Sequence, residues 1–150
     1  EIMPSLVGSE MCIRDRNDME GGQTNEFRPL ILVAEDDDSN FKLIKAIIGK
    51  KCDIQWAKNG EEIVALFKEY GNEAKAILMD IKMPVMNGLD ATKIIRGENK
   101  EIPIIMQTAY AFSSDKENAM NAGASEVLVK PITLSILRNT LTKYFPELVW

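Results

Sequence analysis

Short apolar runs and helical stretches alternate five times between Leu30 and Tyr144. Leu30-Ile31-Leu32-Val33-Ala34 is an apolar run stopped by acids, too short for a buried helix, and reads as a buried strand. Ser39 is placed to cap a helix whose inner face is Phe41, Ile44, Ile47 and Ile48. Asp53–Ala57 is a second, weaker strand, and Asn59-Gly60 reads as a turn. Ile63, Leu66, Phe67 and Tyr70 then recur at helical spacing. Ala76–Met79 is a third strand running up to Asp80, and Leu89–Arg96 a short helix after the Pro84 and Gly88 loop. Ile102–Met106 is a fourth strand, with Pro103 near its start, where proline is tolerated. Ser114 and Glu117 have capping-box spacing, Gly123 fits a helix stop, and the helix between is poor in large apolar residues. Val127–Val129 is a fifth strand, and Thr133 caps a last helix with Leu134, Leu137, Leu141 and Tyr144 on one face. Apolar strands joined by helices mean an α/β sandwich with a parallel sheet buried on both faces, and right-handed crossovers leave few topologies.

Composition narrows the function classes. The chain has 150 residues, enough for one domain with a real core. Its net charge of −5 argues against a phosphate-tracking surface, so no nucleic-acid partner is expected. No apolar run approaches the ~20 residues of a membrane span, and no secretory signal pattern opens the chain. The cytoplasm is the default location. The two cysteines, Cys12 and Cys52, are expected as thiols. Histidine is absent, which excludes a Ser-His-Asp or Cys-His enzyme and a His-ligated zinc site. Phosphohistidine chemistry would have to come from a partner. Residues 1–28 carry no sustained period and read as a disordered leader or linker, or an assembly scar. The folded domain is expected over 29–145, with a short tail at 146–150.

In open parallel α/β sheets, ligands bind beyond the carboxyl ends of the strands. Glu35 and Asp36 follow the first strand, Asp80 the third, Thr108 the fourth by one residue, and Lys130 the fifth. The polar residues therefore gather on one edge. Three carboxylates held close repel one another. A hard divalent cation with oxygen ligands removes that repulsion, and Mg²⁺ suits a site that also holds a phosphate. A carboxylate can attack phosphorus, and phosphoryl transfer is mostly positioning and charge stabilisation. The Lys130 ammonium and the Thr108 hydroxyl would supply the rest.

Four motifs occur in order: Val33-Ala34-Glu35-Asp36-Asp37; Met79-Asp80-Ile81-Lys82-Met83-Pro84-Val85-Met86-Asn87-Gly88; Gln107-Thr108-Ala109; and Val129-Lys130-Pro131. Together they resemble the signature of bacterial two-component response regulator receivers, over about Leu30–Tyr144. The resemblance implies the flavodoxin-like, doubly wound fold with strand order 2-1-3-4-5. It implies that Asp80 is the phosphoacceptor, supplied by a histidine kinase or a His-phosphotransfer domain. Asp36 and Asp80 would ligate Mg²⁺ by side chain and Lys82 by its backbone carbonyl, with Glu35 assisting, often through water. Thr108 and Lys130 would bind the phosphoryl group, and the Lys130–Pro131 bond would be cis. Such a domain catalyses its own phosphorylation and dephosphorylation but is a signalling module rather than a turnover enzyme.

Some positions depart from the commonest pattern. Glu35 stands where many relatives have the shorter Asp. Val127 stands where many carry an aromatic switch. Lys82 and Tyr110 occupy positions that tune phosphate lifetime in the family. With six residues after Tyr144, no effector domain is expected to follow. The loop style and the N-terminal leader favour the C-terminal receiver of a hybrid histidine kinase over a stand-alone receiver. Pairing of two copies through the fourth helix, fifth strand and fifth helix stays open.

Other residues have plainer readings. Asp37 and Asp38 read as a solvated helix start, Gly88 as backbone geometry, and Trp56, Trp150 and the methionines as packing or exposure. The small-residue helix around Ala119 and Ala122 is expected on a mobile output face. A dehalogenase-type phosphatase would want a second Asp where Lys82 stands. A flavin carrier would want a hydroxyl- and glycine-rich loop where four acids stand, and an EF-hand loop would want a glycine and a terminal Glu that Glu35–Asn40 lacks. The alternative kept is a degenerate receiver that acts only as a protein-interaction module.

Overall fold

The computed structural model describes residues 27–109 and 114–148. The expected leader lies outside the described residues up to residue 26, as do Cys12, Tyr110 and Trp150. Ten elements follow in order: β1 (Leu30–Ala34), α1 (Asp38–Ile48), β2 (Asp53–Ala57), α2 (Gly60–Tyr70), β3 (Ala74–Asp80), α3 (Gly88–Glu98), β4 (Ile104–Thr108), α4 (Ser114–Ala122), β5 (Glu126–Val129) and α5 (Leu134–Tyr144). The strands form one parallel sheet in the order β2-β1-β3-β4-β5, as expected.

Alternation along each strand divides the core in two. Ile31 and Val33 of β1, Ala76 and Leu78 of β3, and Ile105 of β4 pack with Phe41, Ile44 and Ile48 of α1 and Leu137 and Leu141 of α5. Leu32 and Ala34, Ile77 and Met79, and Ile104 and Met106 pack on the other side with Ile63 and Phe67 of α2, Ile95 of α3 and Ala119 of α4. Helices α1 and α5 thus cover one face and α2–α4 the other. Both faces being covered leaves the strand ends as the place where polar side chains can reach solvent.

Four local expectations shift. The cap of α1 is Asp37, not Ser39: its carboxylate accepts from the backbone amides of Ser39 (2.7 Å) and Asn40 (3.3 Å). A charged oxygen at a helix N-terminus satisfies the free amides and meets the positive end of the dipole. Strand β4 runs from Ile104 to Thr108, two residues later than expected. The reason lies in pairing. Ile77 faces Ile104 and Asp80 faces Gln107, so the ladder carries the polar Gln107 and Thr108 into the strand. Ile102 instead donates to Asn99 Oδ1 at 3.0 Å, in the turn after α3. Thr108 is therefore the last residue of β4 rather than the residue after it, and Asp80 likewise ends β3. On α5, Thr133 caps as expected, but Leu134 is exposed and Thr140 takes its place on the inner face with Leu137 and Leu141. Asn59, read as a turn residue, caps α2 through the Glu62 amide at 2.9 Å.

Gly123 ends α4 with φ of 117°, a conformation in which glycine avoids the Cβ penalty. Helix α4 buries Ala119 and Ala122 and exposes Met120. Beyond the element bounds, Arg28 donates to the carbonyls of Lys50 (2.6 Å) and Cys52 (3.3 Å), and Leu148 is buried in the α1/α5 cluster.

Cys52 is a free thiol sealed between α1 and β2, 1% exposed. Burial pushes its pKa up to about 11, against a smaller opposing pull from Arg28. Thiolate is the reactive form. In a Cys12→Ser background at pH 8, a disulfide reagent is expected to leave Cys52 unmodified in the native protein and to react fully in denaturant. Rapid native reaction would contradict this packing.

Candidate functional site: a carboxylate and lysine cluster at the sheet edge

Three chain segments meet at the carboxyl ends of the strands. Glu35 and Asp36 continue β1, Asp80 ends β3, and Lys130 follows β5. The central position of β1 and β3 in the sheet brings their termini side by side, since Ala34 pairs with Met79. Carboxylate oxygens of Glu35, Asp36 and Asp80 all lie within 4.8 Å of one another. Lys130 reaches across from β5: its Nζ donates to Asp80 Oδ2 at 2.9 Å and stands 3.7 Å from Glu35 Oε1. The Lys130 amide donates to the Thr108 carbonyl at 2.7 Å, which anchors the backbone from which the side chain reaches. The Lys130–Pro131 bond is cis, as expected.

Burial makes the cluster electrostatically demanding. Glu35 is fully buried, Asp80 5% exposed and Thr108 2% exposed, while Asp36 is open to solvent. Burial, and next the charge of Asp80, raise the pKa of Glu35 to about 7, against the lowering effect of Lys130. Burial opposes the charge on Lys130 too, but the hydrogen bond and charge of Asp80, with Glu35 and Asp36 behind, outweigh it and hold the ammonium above the usual lysine range. One lysine thus faces three carboxyl groups. Among the described residues, Glu35 Oε1 is buried with no hydrogen-bond partner and only the Lys130 ammonium 3.7 Å away, and Oε2 accepts a long bond from the Asp37 amide at 3.3 Å. A buried carboxylate oxygen left so is costly. An all-oxygen cluster with an unsatisfied buried acceptor and one solvent-open acid fits a hard cation that keeps some of its waters. The extra methylene of Glu35 does not take it out of the cluster.

The loop after Asp80 carries the remaining candidate. Lys82 is exposed there, two residues past Asp80. The loop is pinned at both ends: Gly88 donates to Ile81 O at 2.8 Å, and Gly60 of α2 donates to Met86 O at 2.9 Å. Its tip is a tight turn closed by Met86 N and Pro84 O at 2.7 Å, with Val85 at φ of 68° and 72% exposed. Gly88 has a packing reason for its identity. A Cβ there would fall on the carbonyl oxygen of Asp80 and within 2.9 Å of Met79 Cγ. Gly88→Ala is expected to cost about 2–3 kcal/mol, because the obstacle is backbone that must shift. Urea unfolding would show a lower midpoint at unchanged slope, and an unaltered midpoint would mean that α3 moves aside freely.

Sequence reading placed Glu35, Asp36, Asp80, Thr108 and Lys130 at one sheet edge, and the structure brings the three acids and the lysine into contact. Thr108 sits on the strand next to Asp80, in register with Val129. Val127, at the position of the absent aromatic switch, is partly buried against the α2–α4 side of the core. What sequence reading missed is Trp56, whose indole nitrogen donates to the Glu35 carbonyl at 2.8 Å. A tryptophan in a strand carries no sequence signal for that contact.

Fold and site together define a doubly wound α/β sandwich with an acidic, lysine-bridged cluster over its carboxyl edge. The chain belongs to the response regulator receiver domain family, whose pattern it matches over residues 31–142. Among curated relatives, hybrid signal transduction histidine kinase I of Dictyostelium discoideum is 38% identical over 129 residues, covering 78% of this chain and 7% of that protein. Signal transduction histidine-protein kinase BarA of Escherichia coli K12 is 30% identical over 149 residues, covering 97% of this chain and 16% of that protein. The chain therefore spans only a small part of these relatives. Among solved structures, the receiver domain of a sensor histidine kinase from Pseudomonas aeruginosa, with a magnesium ion coordinated in its active site cleft, superposes with a TM-score of 0.73 at 30% identity, covering 80% of this chain and 99% of that one. The receiver domain of a Saccharomyces cerevisiae response regulator, crystallised with a histidine phosphotransfer signalling protein, gives a TM-score of 0.73 at 28% identity, covering 81% and 93% of the two chains. No helix among the described residues is long and apolar enough to cross a membrane.

Proposed function

We propose that this receiver domain accepts a phosphoryl group on Asp80 from a phosphohistidine and relays the change through protein contacts. The observation that carries this reading is the Lys130 ammonium, 2.9 Å from Asp80 Oδ2, with Glu35 and Asp36 completing an acidic cluster on the same sheet edge. A carboxylate oxygen of Asp80 attacks phosphorus, the phosphorus–nitrogen bond to the donor imidazole breaks, and that imidazole takes up a proton. Lys130 then exchanges its carboxylate contact for a phosphoryl oxygen, and the Thr108 hydroxyl donates to another. Glu35, Asp36 and Asp80 by side chain, and Lys82 by its backbone carbonyl, are the groups that would hold Mg²⁺. When bound, the ion supplies positive charge to the phosphoryl oxygens and offsets the repulsion among the acids. Because the donor must bring the histidine, the partner is a histidine kinase or a His-phosphotransfer domain. The hybrid kinases among the relatives support a receiver belonging to such a kinase.

Incubation with Mg²⁺ and acetyl phosphate, read by intact mass, tests the proposal. One added phosphoryl group, lost when Mg²⁺ is withheld, is the expected result. No added mass together with no Mg²⁺ binding would instead favour the interaction-only module.

A further inference from the structure

Trp56 reads from the sequence as a packing residue, yet its surroundings tie it to the acidic cluster. Strand β2 ends at Ala57, whose carbonyl accepts from the Glu35 amide at 2.9 Å. The ladder stops there, and the Lys58 amide just beyond donates to Glu62 Oε1 at 2.8 Å. The Trp56 indole steps in and donates to the Glu35 carbonyl at 2.8 Å. Its ring lies flat on Phe41 of α1, with centroids 4.0 Å apart and planes within 1°. The Lys58 ammonium stands 4.8 Å from the Trp56 ring centroid and 3.5 Å from Asp38 Oδ1. One tryptophan therefore contacts both ends of the acidic turn: Glu35 directly, and the first turn of α1 through Phe41.

We infer that Trp56 is a positioning residue for the cation site: by holding the Glu35 carbonyl it fixes the peptide that joins Glu35 to Asp36, and so sets how those two carboxylates face Asp80. The inference rests on the cation reading given above. A peptide is planar, so anchoring its oxygen also orients its amide and the Cα atoms on either side. Asp36 is exposed and depends on that backbone for its placement. Cation sites tolerate little looseness, and losing an outer hydrogen bond to a ligand-bearing group typically weakens binding 10–100-fold.

The test is calorimetric titration of the full chain with Mg²⁺. Trp56→Phe keeps an aromatic ring to stack on Phe41 but removes the donor. It is expected to bind Mg²⁺ roughly tenfold more weakly than the wild type, with a urea midpoint showing that it is folded. Phe41→Leu, which removes the stack and keeps the donor, should lower stability without that loss of affinity. Equal Mg²⁺ affinity in folded Trp56→Phe and wild type would overturn the proposal. Absence of Mg²⁺ binding by the wild type itself would overturn the cation reading, and this proposal with it. Should Trp56→Phe be too unstable to titrate, the wild-type indole N–H resonance decides: it is expected to shift with the calorimetric midpoint, and a resonance unmoved at saturating Mg²⁺ would refute the role.

Discussion

Asp80→Asn is expected to take up no phosphoryl group from acetyl phosphate or from a phosphohistidine donor, while remaining folded. An amide is nearly the same shape as a carboxylate but is not a nucleophile towards phosphorus. Its oxygen can still accept from Lys130, which now donates to Asp80 Oδ2 at 2.9 Å. The charge of Asp80 also raises the pKa of Glu35, second only to burial. Removing that charge relieves like-charge repulsion. Without added Mg²⁺, the variant should therefore be as stable as the wild type or more so, and weaker in Mg²⁺ binding. Intact mass and urea unfolding read both halves. Phosphoryl incorporation that persists in Asp80→Asn would place the acceptor elsewhere.

Lys130→Met is expected to lose most phosphoryl incorporation and, without added Mg²⁺, to be destabilised by about 2 kcal/mol at pH 8. Stranding a buried charge by removing its partner costs roughly 3–5 kcal/mol, and the Lys130 side chain keeps 24% of its exposure, so a discount for solvent applies. The pH dependence has a definite sign. Glu35 has a folded pKa of about 7, raised from 4.5 chiefly by burial. The folded state then binds more protons than the unfolded one between those values. The stability this group contributes is full below about pH 4.5 and is lost as pH rises through about 7. Lys130 acts to lower that pKa, so its removal should push the window higher and steepen the loss between pH 5 and pH 8. Mg²⁺ should recover part of the deficit by replacing the lost positive charge. Equal destabilisation at pH 5 and pH 8 would mean that Glu35 does not feel Lys130.

The alternation of apolar runs with helical periodicity, each recorded within a dozen residues of chain, was enough for the sheet, its parallel sense and the edge that carries the site. The four motifs, in their order along the chain, were enough for the family. Asp80 and Lys130 are 50 residues apart, yet one ends and the other just follows a strand that reads plainly, so their meeting followed from topology.

What chain order alone left open was decided by contacts between segments. Asp37 rather than Ser39 caps α1, because several residues in Asp37-Asp38-Ser39 can cap and only the direction in which the chain leaves β1 selects one. Strand β4 extends to Thr108 because pairing with β3 and β5 outweighs the polarity of Gln107 and Thr108. Leu134 faces solvent and Thr140 the core because the helix is turned by what it packs against, whereas periodicity states only which residues share a face. The link from Trp56 to Glu35 depends on β2 stopping one residue after Trp56, beside a carbonyl 21 residues away in sequence. Local periodicity and chemistry are written in neighbouring residues, so the sequence by itself determined the elements, their order and the chemical character of the site. Register, burial and side-chain reach depend on distances between segments remote in the chain, and those only the tertiary structure decided.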